Sequence, residues 1–106
     1  MNKLDKPSLD DFGRALGGKI KVKLTKLSEA PNPVHPNNIA EGEYRIGFIN
    51  EGDMPKVGSS FILNSVIEKN GNAVHPGHWF YTSEIVEIID PLTFRTLNSI
   101  YQIEIL

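Results

Sequence analysis

The stretch Lys19 to Leu24 reads Lys-Ile-Lys-Val-Lys-Leu, a strict alternation of charged and apolar side chains. Only an extended strand, whose side chains point to opposite faces with period two, can put Ile20, Val22 and Leu24 on one side. A helix of period 3.6 would scatter them around its circumference. The strand therefore needs a core on one side and water on the other. After Leu24 the alternation slips, because Lys26 and Leu27 break the parity, which predicts a bulge or a strand end. The row Lys19, Lys21, Lys23 reads as a solvated or edge-protecting face. Attraction of a phosphate is the rival reading.

Four further segments carry strand patterns. Glu43 to Ile49 places Tyr44, Ile46 and Phe48 on one face, with Gly47 opposite as a bend or a close backbone approach. Phe61 to Ile67 is partly apolar on both sides, as in a strand covered on both faces. Trp79 to Ile89 and Phe94 to Ile105 form a terminal hairpin joined across Asp90-Pro91-Leu92-Thr93. In its second strand Leu97, Tyr101, Ile103 and Ile105 are expected inward, with Gln102 and Glu104 outward. The Pro-rich Ala30 to Asn38 and turn-rich Asn50 to Ser59 are connections, and Asn70-Gly71 is a strong turn signal.

Upstream, Ser8 is a good helix N-cap, followed by Asp10 and Asp11. Leu9, Phe12 and Leu16 make one apolar stripe, and Gly17-Gly18 ends it. The expectation is an all-β domain with one short N-terminal helix: residues 1–18 as tail and helix, 19–106 as a small five-stranded antiparallel barrel. SH3-like and OB-like topologies both fit this pattern.

At 106 residues, 40% hydrophobic and 23% charged, the chain fits a single globular domain able to bury a modest core. Having no cysteine, it has no disulfide, thiol nucleophile or thiolate metal site. No apolar run approaches a membrane span, so a cytoplasmic location without membrane contact is expected. Residues 1–26 hold seven Lys/Arg against three Asp, whereas the rest holds four basic against ten acidic residues. That imbalance disfavours wrapping long nucleic acid, although a local basic strip can steer a small anion.

No catalytic constellation emerges. Glu84 and Glu87 are not placed as an acid–base pair, Gly13 to Gly17 lacks the Lys-Ser/Thr of a P-loop, and no Gly-x-Ser-x-Gly elbow exists. His75 and His78, with His35 from the other Pro-rich loop, have metal-ligand chemistry but no convincing acidic partner. They read as loop histidines, and neither metal nor cofactor is expected. The remaining candidates cluster in the terminal hairpin. Trp79 and Tyr81 offer faces for stacking a base, Arg95 can pair with a phosphate, and Thr82, Ser83, Thr96, Asn98 and Ser99 can hydrogen-bond a ligand. Against this stands the plain alternative that the aromatics are core and the hydroxyls satisfy neighbouring strands.

The order Lys56-Val-Gly58, then Tyr81-Thr-Ser83 with Val86 and Ile88, then Phe94-Arg-Thr96-Leu-Asn98-Ser99-Ile-Tyr101 resembles small proteins common in bacteriophage genomes. Some of these resemble sponges, non-enzymatic proteins that sequester cyclic nucleotide signals of host antiviral defence. The resemblance covers Lys19 to Ile105. It implies stoichiometric capture of a nucleotide in the host cytoplasm by a homo-oligomer, with Tyr101 joining the hairpin residues in the site. A protein-interaction or structural barrel without a small ligand is the alternative, and single-stranded nucleic-acid binding is a third.

Overall fold

The computed structural model describes residues 19–31, 33, 39–75 and 77–106. Seven strands run in chain order: β1 (Lys19–Glu29), β2 (Tyr44–Asn50), β3 (Ser60–Lys69), β4 (Asn72–Ala73), β5 (Phe80–Asp90), β6 (Thr93–Thr96) and β7 (Ser99–Ile105). All pairings are antiparallel, and β2–β3 pairing closes the circuit β1-β2-β3-β5-β6-β7 into a six-stranded barrel. The two-residue β4 is an extra strand folded back on β3. Each barrel strand thus lies beside the next one in the chain. The helix expected at Ser8 to Leu16 lies outside the described residues. Among those described there is no helix, and hence none long and apolar enough to cross a membrane.

The five expected strands become six because Phe94 to Ile105 is not one strand. Thr96 Oγ1 accepts hydrogen bonds from the amides of Asn98 and Ser99, both at 3.1 Å. That local capture turns the chain at Leu97-Asn98, since a side-chain oxygen offers the backbone an alternative to the ladder. Leu97, expected inward, sits on the turn at 42% exposure, and Ile105 is similarly exposed at the end of β7. Tyr101 and Ile103 are buried as expected. The other turn is as read, with the Leu92 amide donating to Asp90 Oδ1 at 2.9 Å.

β1 is not an edge. It pairs with β2 from Lys19↔Asn50 to Thr25↔Tyr44 and with β7 from Val22↔Ile105 to Glu29↔Ser99. Closure removes the edge that its lysines were read as protecting. The expected bulge does occur, between Lys26 and Ser28. The backbone parity, however, continues through Lys26, which points inward and is wholly buried, while Leu27 points out. β2 turns the face Arg45, Gly47, Ile49 to the interior and leaves Tyr44, Ile46 and Phe48 half-buried outside.

β3 changes partner midway. Residues 60–63 face β5, and residues 64–69 face β2. At the corner Ser65 adopts φ +52°, and the buried set shifts from Phe61 and Leu63 to Val66. Gly47 lies against this corner. A Cβ there would stand 3.2 Å from Val66 Cα and 3.3 Å from the Asn64 carbonyl, the close approach that its glycine anticipates.

A file of aromatics fills the barrel. Phe61 and Phe94 have ring centroids 5.3 Å apart, Phe94 and Tyr101 5.6 Å, and Tyr101 and Phe80 6.4 Å. Around them pack Val22, Leu24, Ile49, Leu63, Ile85 and Ile103. Burying each such side chain contributes about 1.5–3 kcal/mol. The two buried basic residues among those described lie towards the Phe80 end, Lys26 opposite Tyr101 and Arg45 against the Phe80 ring, whereas buried Thr82 lies beside Phe61.

Candidate site at the polar end of the barrel

At the Phe80 end β3 outruns β5, and residues 74 and 78 lie beside it. The Val66 amide donates to the His78 carbonyl at 2.8 Å, and the Val74 amide to the Ile67 carbonyl at 3.0 Å. Between these residues, β3 and the start of β2 opens a cleft of about 210 Å³. Val66 and Val74 form its apolar wall, Phe80 and Arg45 its inner part, and Lys69, His78 and Trp79 its rim. A recess at a barrel mouth that combines apolar walls with a few convergent polar groups can hold a small ligand.

Arg45 dominates the chemistry. Its residue exposure is only 6%, and its guanidinium carbon lies 5.5 Å from the centre of the Phe80 ring. Its one hydrogen bond to a described residue runs from Nη1 to the Tyr44 carbonyl at 3.1 Å. No described carboxylate lies within ion-pair distance. Burial pushes its pKa down, while Glu43 and then Tyr101 act in the opposite direction. A guanidinium has five donors, so most of its capacity is left for water or a ligand.

The backbone beneath Arg45 is held firmly. The Tyr44 amide donates to Asn70 Oδ1 at 2.7 Å, and the Asn70 amide to the Tyr44 carbonyl at 3.2 Å. On the outer face the Tyr44 hydroxyl donates to Glu68 at 2.6 Å, which raises the phenol's pKa, and Lys23 Nζ sits 4.4 Å from its ring centre. That contact is what the structure shows for one member of the lysine row.

Three further polar groups lie inside the same end. Tyr101 is buried beside Phe80, and burial raises its pKa; the Ser99 hydroxyl lowers it, Glu29 raises it and Arg45 lowers it. Ser99 Oγ is close enough to act on the phenol but lies outside good hydrogen-bond geometry, so among the described residues it is the one buried side-chain polar atom left unpartnered. Lys26 donates to Glu29 at 2.6 Å and to the Ile39 carbonyl at 2.8 Å. Its backbone bonds to Gly42 and Glu43 fasten the segment 39–43 beside it, with Ile39 packed into the core.

Of the nine hairpin residues proposed from sequence, the structure brings Trp79 to the cleft rim and Tyr101 beneath it. Tyr81 stands on the outer wall opposite Ile62, 71% exposed. Thr82 is buried, accepting from the Phe61 amide at 3.0 Å and donating to the Ser83 carbonyl at 2.7 Å. Asn98 Nδ2 donates to Ser83 Oγ, tying the two polar patches to each other. Arg95 pairs with Glu87 at 2.9 Å, and Thr96 organises the β6–β7 turn. Arg45, Lys69 and Phe80 were not anticipated. The sign that could have found Arg45 is its position in phase with Gly47 and Ile49, a charge on the inward set of a strand.

His75 and His78 are exposed, and His35 lies outside the described residues. Among the described residues no group of three His, Cys, Asp or Glu is placed to hold a metal ion. A second recess of about 190 Å³ lies under the loop before β3, lined by Met54, Pro55, Lys56 and Phe61 among others, with no buried charge. No protein-family model, curated protein or solved structure matches the chain.

Proposed function

We propose that the protein is a non-catalytic binder of a small nucleotide-class ligand, held at the polar mouth of the barrel. The observation that carries this reading is Arg45, a nearly buried cation without a carboxylate partner among the described residues, opening on a cleft rimmed by Trp79. A nearly buried charge is costly without a close partner, and an anionic ligand supplies the direct contact that Glu43, acting at a distance, does not. The ring of Trp79 supplies a stacking surface for a base. The resemblance of the terminal hairpin points to cyclic oligonucleotide signals of antiviral defence, sequestered in the host cytoplasm by a phage-encoded homo-oligomer. Capture is stoichiometric, and the ligand leaves unchanged.

The test is to incubate the protein with a panel of cyclic di- and trinucleotides, wash, release by heat and analyse what is retained. At least one ligand is expected to be recovered intact and to raise the melting temperature. Retention of none, with no thermal shift, removes the proposal.

One observation favours a second reading, a protein-interaction module. The outer β3–β5 wall exposes Ile62 at 42% and Tyr81 at 71%, with Trp79 at 65% beside them. A copurifying protein lost on Tyr81→Ser but retained on Arg45→Met would support it.

A further inference from the structure

We infer that the mouth recognises a single nucleotide unit, with the phosphate inside against Arg45 and the ring outside on Trp79. This rests on the proposed nucleotide binding and specifies what enters. The first argument is size. Drug-sized ligands fill pockets of about 300–1,000 Å³, so a cleft of about 210 Å³ admits part of such a molecule. The second is the gradient of burial. Arg45 is 6% exposed, Phe80 is half-buried, and Trp79 at the rim is 65% exposed. Charge recognition is therefore deep and ring recognition shallow.

The third argument is sign. The cleft lining holds Arg45, Lys69 and His78 and no carboxylate. A phosphate accepts from a guanidinium through two oxygens at once, which uses the donors Arg45 leaves free. Lys69, across the β2–β3 ladder from Arg45, adds a second cation to the same anion. The ring cannot take the inner place, because the Arg45–Phe80 contact already occupies that depth. It lies instead on Trp79, where stacking tolerates any base. Affinity thus comes from one phosphate and one ring, with little discrimination between bases.

Calorimetric titration with a 5′-mononucleotide, the matching nucleoside, inorganic phosphate and a cyclic dinucleotide tests this. The mononucleotide is expected to bind one per chain, more tightly than either nucleoside or phosphate, and within about tenfold of the cyclic dinucleotide. Stacking one base is worth about 1–3 kcal/mol, so Trp79→Ala should reduce the preference for mononucleotide over phosphate by roughly tenfold to a hundredfold. Arg45→Met should abolish the preference for mononucleotide over nucleoside. Should that variant not fold, Lys69→Ala on the surface carries the test, weakening the mononucleotide several-fold more than the nucleoside. A cyclic dinucleotide that binds while the mononucleotide does not would overturn the one-unit site and leave nucleotide capture standing. Binding of none removes both. Equal losses for every ligand on Trp79→Ala would also overturn the division of roles.

Discussion

Arg45 sits where a strand of this barrel should carry an apolar residue, and that misfit separates stability from binding. Replacing even a buried ion pair by apolar side chains of similar volume is often neutral or stabilising, by about 1–4 kcal/mol, and Arg45 leaves no described ion-pair partner behind. Arg45→Met is therefore expected to hold or raise the melting temperature while losing anion binding. A variant that melts earlier and still binds would show that Arg45 serves the fold. Gly47 makes the opposite case. Its Cβ would press on backbone at Val66 rather than on a flexible side chain. Gly47→Ala should cost about 1–3 kcal/mol, as overpacking does, read by urea denaturation.

Tyr101 contributes a pH dependence. Burial raises its folded pKa above the ordinary 10.0. Between pH 10 and the folded value the native state keeps a proton that the unfolded state releases, so stability falls as pH rises through that window. Tyr44 is shifted the same way. Tyr101→Phe should flatten part of the alkaline decline in melting temperature and leave the neutral range free of that slope. An unchanged alkaline slope would place the dependence elsewhere.

At the scale of elements, the polar residues of the terminal hairpin act mainly on backbone. Thr96 Oγ1 takes two amides and so divides what reads as a single long strand. Thr96→Val leaves both donors without that acceptor. Losing a buried partner costs about 1–3 kcal/mol for each group left unsatisfied, so a drop of about 2 kcal/mol or more in chemical denaturation is expected. Faster exchange of the Asn98 and Ser99 amides should accompany it. Protection equal to wild type would mean that the turn holds without its hydroxyl. The Thr82 and Asn98–Ser83 contacts join β3 to β5 and β5 to the β6–β7 turn, where the sequence offers candidate ligand contacts.

At the scale of the molecule, closure governs behaviour. β7 joins β1 across nearly the whole chain described, so the last strand completes the barrel. A chain ending at Asn98 would expose the β1 and β6 edges, which are templates for intermolecular pairing. It should lose its cooperative melt and aggregate in size-exclusion chromatography. A soluble monomer with an intact melt would contradict that. Local pattern was enough to reveal most of this object: the period-two alternation from Lys19, the turn at Asp90-Pro91, the bulge after Leu24 and the tight place for Gly47 are short-range consequences of side-chain size and backbone freedom. What it could not reveal depended on distant partners. Six strands rather than five followed from one hydroxyl capturing two amides. Lys26 and Arg45 proved to be interior because strand parity outranks side-chain polarity once a charge finds Glu29 and a carbonyl, or a cleft. The mouth itself joins residues 45, 66, 69, 74 and 78–80, and only barrel closure brings those together.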